Sequence, residues 1–426
     1  MIALSALLRL TAMEAKQPKR KEEQNEFANS VQKIRTLTLF IAPALIVLTS
    51  PCAARAMVHG AVYDAVNAID ASHQPYLVQP ASNPTDSKEA AAATAAFRVL
   101  VGLFPGQVGT LQPLYDAYIA ALPDNPPGSR VAGVAIGEAT VSAMFTARMN
   151  DGRLGPSPTP YSVAPGIWRP TPPFFANDPA PWVGNVLPFI VPSAEMHRTD
   201  GPNALTSTEY AEDFNEVKEL GSLTSTTRTP DQTDAAIWWQ DHGIALWNRI
   251  FRTLATSQNL NIADSARLFA MENLAGADAL IGWNDKYYWQ FWRPITAIRE
   301  ADTDGNPATE ADPAWLPLFD PATPVCNLPS LVTPSFPDHP SGHSCATSAF
   351  VNTLQNFFGT DKISFSALSN KSCTTRSFRG FSDALKEVID ARVWAGIHFR
   401  TADTQGAALG KKVAQYLKKH YFQPVR

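Results

Sequence analysis

From Ala53 onward the apolar residues of this 426-residue chain recur at three- and four-residue steps, and no stretch of useful length alternates with period two. Val58, Ala61, Val62, Ala65, Val66 and Ile69 set the pattern. Such spacing lays apolar side chains along one stripe of a helix, and a chain made of such stripes buries them helix against helix. Further helices are predicted over residues 87–104, 110–122, 130–149, 206–220, 230–258, 263–299 (stopping or kinking near Pro294), 382–397 and 404–421. Thr206-Ser-Thr-Glu209 has the spacing of a capping box. Residues 152–192 interrupt the pattern with eleven prolines, which regular helix cannot hold, yet Trp168, Phe174, Phe175, Trp182 and Phe189 offer apolar surface to bury. That segment reads as an ordered strap lying over the helices. The expected fold class is therefore all-α, a helical bundle with long Pro-rich connecting loops. Residues 1–49 are expected to be a poorly ordered extension and residues 50–426 a single helical domain.

A composition of 45% hydrophobic and 17% charged residues supports a sizeable core. A net charge of −4 gives no reason to expect nucleic acid as a partner, and the one basic cluster, Lys16 to Lys21, reads as a solvated tail. Four cysteines form neither a disulfide framework nor a zinc motif. Cys326 and Cys373 fall in loop-like sequence and could pair in an oxidising compartment, whereas Cys345 reads as a small buried filler. Residues 37–48 are a largely apolar run too short to span a bilayer, which takes about 20 residues. The run has the look of a secretory leader core followed by small residues, with a buried first helix as the other reading. A leader would send the protein outside the cytoplasm, and a buried helix would leave it there. No other stretch approaches a transmembrane segment, so an integral membrane protein is not expected.

Three short blocks in the last third carry the chemistry. They are Lys286-Tyr-Tyr-Trp-Gln-Phe-Trp-Arg293-Pro294, Pro340-Ser341-Gly342-His343 and Arg392-Val-Trp-Ala-Gly-Ile-His398. Lys286 and Arg293 are seven apart, so on one helix they would differ by about 20° and share a face. Ser341-Gly342-His343 runs into an apolar stretch ending at Phe358, which places its N–H groups at a helix N-terminus, where an anion is favoured. Gly396 lets the third helix end, so that His398 can turn back towards Arg392. Three cations around one point repel one another unless an anion neutralises them. Taken singly, each would read as a surface salt bridge, with Asp285 and Asp390 as ready partners. In combination with two histidines and the Ser-Gly-His turn, they suit a tetrahedral or trigonal-bipyramidal oxyanion. His59, His73, His197, His242 and His420 read as structural histidines.

The blocks and their order resemble the signature shared by vanadium-dependent haloperoxidases and the type-2 phosphatidic acid phosphatase superfamily. Segments at residues 51–70, 166–173 and 228–241 also resemble the soluble bacterial haloperoxidase-type members. The likeness covers residues from about Ser50 to the C-terminus and implies a haloperoxidase/acid phosphatase-like bundle with its active site built from residues 283–398. Two positions depart from the signature. Ala391 stands where Ser usually precedes the arginine, and the Asp expected four residues after the second histidine is Ala402, with Asp403 one place late.

The resemblance implies that Lys286, Arg293, Ser341, Gly342, His343, Arg392 and His398 hold vanadate, with His398 as the ligand on the metal. In this reading His343 is the acid–base group. Trp283 and Phe336 fall at the two aromatic positions that shape the halide side of the pocket, and His339 is expected near its mouth. With Asp338 also polar, that mouth is expected to differ from a chloride-oxidising one. The leading functional expectation is a vanadate-dependent haloperoxidase acting on hydrogen peroxide and halide. The alternative is a soluble acid phosphatase that binds phosphate and cleaves a phosphate ester through a phosphohistidine, since phosphate and vanadate share geometry. A non-catalytic phosphate-binding scaffold draws support only from Ala391 and Asp403. Homo-oligomers would be in keeping with the family.

Overall fold

The computed structural model describes residues 51–153, 162–241, 243–282, 284–327 and 329–425. The N-terminal extension with its basic cluster and apolar run lies outside these residues, as do His242 and Trp283. The helices are α1 (Pro51–Asp70), α2 (Lys88–Leu103), α3 (Val108–Ala121), α4 (Ser129–Ala147), α5 (Thr208–Leu220), α6 (Pro230–Trp238) and α7 (Gly243–Ser257). After them come α8 (Ile262–Ile281), α9 (Asn284–Trp289), α10 (Pro294–Arg299) and α11 (Gly342–Phe358). A hairpin of β1 (Phe365–Leu368) and β2 (Thr375–Phe378) precedes α12 (Phe381–Trp394) and α13 (Arg400–His420). The all-α expectation holds. Among the described residues no single helix is long and apolar enough to cross a membrane.

Helix α8 is the centre of the bundle. Every residue of it from Leu268 to Ile281 is buried, with α1 packed on one side and α11 on another. Helix α2 packs on α1 and α4, while α13 lies along α11. Two buried carboxylates tie connecting segments to this frame by taking three backbone N–H groups each. Asp64 on α1 accepts from Tyr76, Leu77 and Val78 at 2.6–3.0 Å. Asp278 on α8 accepts from Phe189, Ile190 and Val191 at 2.6–2.9 Å. The second clamp holds the end of the Pro-rich strap. Upstream, Trp168 N–H donates to the Gln290 carbonyl at 2.7 Å and Trp292 N–H to Gly166 at 3.0 Å, and the Tyr287 hydroxyl meets Asp178. Hence the described part of the strap, residues 162–192, is laid across the first cationic block.

Three expectations are corrected. The predicted helix over 230–258 is two helices, α6 opening with a capping box at Thr229 and Gln232, and α7 starting afresh at Gly243. The predicted helix over 263–299 is three pieces, for the reason given below. The hairpin was not expected, because strands of four residues are too short for alternation to register. It pairs Phe365 with Phe378, buries both, and sets Ser366 Oγ 2.8 Å from Ser377 Oγ. Cys326 and Cys373 form a disulfide that joins the loop before the second block to the tip of this hairpin.

Candidate active site

Lys286 and Arg293 do not share a helical face. Lys286 sits on the short α9, after which Gln290 adopts a left-handed backbone (φ 50°) and Arg293 is extended (φ −82°, ψ 155°). A residue before proline is pushed out of the α region by the ring, so Pro294 forces Arg293 to open α10 as its cap rather than continue α9. The two cations still converge, because the turned segment brings both against residues 336–340. Lys286 Nζ donates to the carbonyls of Pro337 and Asp338, each at 2.9 Å, and of Pro340 at 2.5 Å. Arg293 Nε donates to the Phe336 carbonyl at 2.7 Å and Nη1 to Ile397 at 2.8 Å. The Phe336 ring lies under both charges, 5.1 Å from the ammonium and 4.9 Å from the guanidinium.

Ser341 is the N-cap of α11, as its sequence context predicts, and its N–H donates to the Ala402 carbonyl at 2.9 Å. Helix α11 can lie this close to α13 because Gly410 faces the Cys345 carbonyl, where any Cβ would collide with backbone. Ser344 Oγ to Asp403 at 2.7 Å and Ser348 Oγ to the Ala407 carbonyl at 2.6 Å lock the pair. His343 stands on the first turn of α11, half-buried and beside Gly243.

Arg392 lies in the last turn of α12, fully buried, with Nη1 donating to Gln240 Oε1 at 3.1 Å. The chain then leaves the helix at Gly396, whose φ of 75° suits glycine and which abuts the Gly221 carbonyl. This turn brings His398 back so that Arg293 Nη1 lies 3.4 Å from its Nδ1 and 3.2 Å from its Nε2. Asp285 and Asp390 are occupied elsewhere, Asp285 by Arg198 and Thr199 and Asp390 by Arg400 at 2.5 Å. The salt-bridge reading of the three cations therefore fails. Arg293 instead pairs with Asp338, at 3.7 Å.

What remains is a cluster of buried donors short of acceptors. Arg293 Nη2 and Arg392 Nε and Nη2 have no hydrogen-bond partner, and Ser341 Oγ has none of good geometry although it faces Asp403. Leaving such groups unpaired costs roughly 1–3 kcal/mol each, so the cluster would gain from an acceptor. Burial lowers Lys286 to about 7, Arg293 to about 10 and Arg392 to about 9. Burial likewise drives His398 well below its usual value, with Arg293, Lys286, Arg392 and His343 adding repulsion, so the imidazole is neutral. A neutral ring with a lone pair among cations can bond an electron-poor centre. Asp403 is raised to about 7 by burial, against the pull of Ser341, Ser344 and Arg392.

Lys286, Arg293, Ser341, Gly342, His343, Arg392 and His398 are thus brought to one place from blocks up to 112 residues apart in position, Lys286 to His398. Phe336 lies with them, and Trp283 is outside the described residues. His339 is not at a mouth. It is fully buried, with Nε2 2.9 Å from Thr199 Oγ1, whose own hydroxyl donates to Asp285 at 2.8 Å. Burial, then Lys286, depress this ring to about 3, and a neutral histidine fixed to a hydroxyl is a wall element. Sequence reasoning missed two contacts. Gln240 anchors Arg392, and nothing in its helical context marks it. Asp338, read as part of a polar mouth, places Oδ1 2.8 Å from His398 Nδ1.

Residues 267–426 match the family described as the VCPO second helical-bundle domain. Comparison with curated proteins gives no match. Among solved structures, a bacterial vanadium-dependent iodoperoxidase superposes with a TM-score of 0.74 at 23% identity, over 93% of this chain and 97% of that one. The holo form of a bacterial vanadium-dependent chloroperoxidase gives 0.67 at 18% identity, over 89% and 93%. An apo form of such a chloroperoxidase gives 0.67 at 16% identity, over 89% and 95%. Residues 267–426 thus match a haloperoxidase second helical-bundle domain, and the chain shares the fold of bacterial vanadium-dependent haloperoxidases.

Proposed function

We propose that this protein is a vanadate-dependent haloperoxidase-type enzyme that oxidises halide with hydrogen peroxide. The carrying observation is the set of buried, unpartnered donors on Arg293 and Arg392, with the Ser341 hydroxyl, around the neutral ring of His398. The donor set fits vanadate: the guanidinium groups, the Ser341 hydroxyl and the Gly342 N–H at the start of α11 would hold its oxygens, and an imidazole nitrogen of His398 would bond the metal. When bound, vanadate would supply a Lewis acid that activates peroxide towards halide without a change of oxidation state. Arg293 and Arg392 would hold the anion's oxygens and stay charged while doing so. Lys286 acts by its charge and by fixing the carbonyls of residues 337–340, since those carbonyls already take its hydrogens. His343 would hold and pass the proton of the peroxide at a ring nitrogen. Phe336, with Trp283, would keep water from the halide side.

The test uses protein stripped of bound anion. Orthovanadate should switch on peroxide-dependent oxidation of iodide or bromide, and His398→Ala should abolish both vanadate retention and activity. His343→Ala should keep the anion and lose turnover. Phosphate-ester hydrolysis that vanadate inhibits, with no halide oxidation, would overturn the proposal and select the phosphatase alternative.

A further inference from the structure

The superfamily resemblance leads one to expect a carboxylate at position 402 to orient the second histidine, and Ala402 has none. Asp403, one place later, is committed to α11. Its Oδ1 receives the Ser344 hydroxyl at 2.7 Å, and Ser341 and Arg392 are its other neighbours. The Ala402 backbone is committed as well, its carbonyl taking the Ser341 N–H at 2.9 Å. The carboxylate that reaches the imidazole comes instead from the loop before the second block.

We propose that Asp338 is the positioning residue for His398, accepting its Nδ1–H and so presenting the Nε2 lone pair to the anion. Asp338 is fully buried and its backbone is held at both ends. Its N–H donates to the Phe291 carbonyl at 2.9 Å, and its own carbonyl takes a hydrogen from Lys286 at 2.9 Å. The side chain therefore projects from a rigid stem. Oδ1 lies 2.8 Å from Nδ1 and 3.7 Å from Arg293 Nη1. The Nδ1 contact is close but not aligned, and neither carboxylate oxygen has a hydrogen bond of normal geometry. Its acceptor capacity is therefore unspent. The aromatic χ2 torsion is soft, so a small rotation of the ring aligns Nδ1–H on Oδ1 once the other nitrogen is engaged. With Nδ1 protonated, Nε2 carries the lone pair, and it lies 3.2 Å from Arg293 Nη1. The two carboxylates divide the work. Asp338 orients the imidazole, and Asp403 braces the Ser341 turn.

This inference rests on the reading of His398 as the anion's ligand, and not on halide chemistry. Its first test needs no anion. In 15N-histidine-labelled, anion-free protein, the signals of His398 (identified by their loss in His398→Gln) should report a proton on Nδ1 and none on Nε2. Asp338→Ala should move the ring towards the opposite tautomer, whereas Asp403→Asn should not. The second test is orthovanadate affinity by equilibrium dialysis in phosphate-free buffer. Losing an outer-shell acceptor weakens binding roughly 10- to 100-fold, which is expected for Asp338→Ala. Asp338→Asn keeps the shape and one acceptor oxygen, so it should fold normally and fall between Asp338→Ala and the parent. An Nε2-protonated ring in the parent, or Asp338→Ala affinity within about twofold of the parent, would overturn the assignment. A parent that binds neither orthovanadate nor phosphate would instead sink the functional reading, while the tautomer measurement still decides the role of Asp338.

Discussion

Lys286 and Arg392 are both buried cations of one pocket, yet their surroundings make opposite demands. The Lys286 ammonium satisfies three carbonyls of the loop that carries Phe336 and Asp338. Arg392 has two guanidinium nitrogens with nothing to donate to and a single bond to Gln240. Replacing Lys286 by Met leaves buried carbonyls unpaired and should destabilise the anion-free protein by about 1–3 kcal/mol. Arg392→Met removes a buried charge whose one hydrogen bond goes to Gln240 and which only Asp403 offsets, so the anion-free protein should lose less stability than with Lys286→Met, while orthovanadate affinity collapses. Urea unfolding of both variants in phosphate-free buffer checks the contrast, and equal destabilisation by the two would refute it. The sequence pointed to both residues as anion contacts. It could not separate them, because the carbonyls that claim Lys286 lie more than fifty residues ahead of it.

Two helices set the geometry of the oxyanion turn. Helix α11 begins at Ser341 because its side of α13 is notched at Gly406 and Gly410, the first with the Ser341 carbonyl 2.8 Å from where a Cβ would stand. Gly410→Val should force the helices apart against the Cys345 carbonyl and cost at least the roughly 1–3 kcal/mol of an overpacked core, with orthovanadate affinity falling as well. Thermal unfolding and dialysis would measure the two effects, and a neutral Gly410→Val would show that the close approach is not required. The onset of α11 and the stop at Gly396 were legible beforehand, because capping and left-handed turns are local events. The break between α9 and α10 was legible in principle, since Pro294 marks it. The break at Gly282 was not, because the helical period continues through it, and Ile295 and Ile298 are buried by the tertiary core of Tyr210, Phe214 and Trp315.

Across the molecule, the loop that delivers Phe336, Asp338 and His339 is held from both sides. Lys286 fastens it near the site, and the Cys326–Cys373 bond, together with Cys326 N–H to the Lys371 carbonyl at 2.8 Å, fastens it to the hairpin. The bond closes a 47-residue separation, so Cys326→Ser should lower stability by about 2–4 kcal/mol through the freed unfolded chain. Denaturant midpoints with and without reductant test this, and a midpoint indifferent to reductant would exclude a stabilising role.

The residue periodicity settled that this chain is a helical bundle, and three short blocks marked the cations and histidines that it brings together. Both signals are local, written into spacing of a few residues and into the chemistry of charge. Partners were decided only by folding. Whether a buried ammonium meets an anion or three carbonyls, and which of two carboxylates reaches an imidazole, depends on segments distant in the chain arriving within 3 Å. Spacing along the sequence carries no information at that resolution, because a one-place shift such as that from 402 to 403 turns a helical side chain by about 100°.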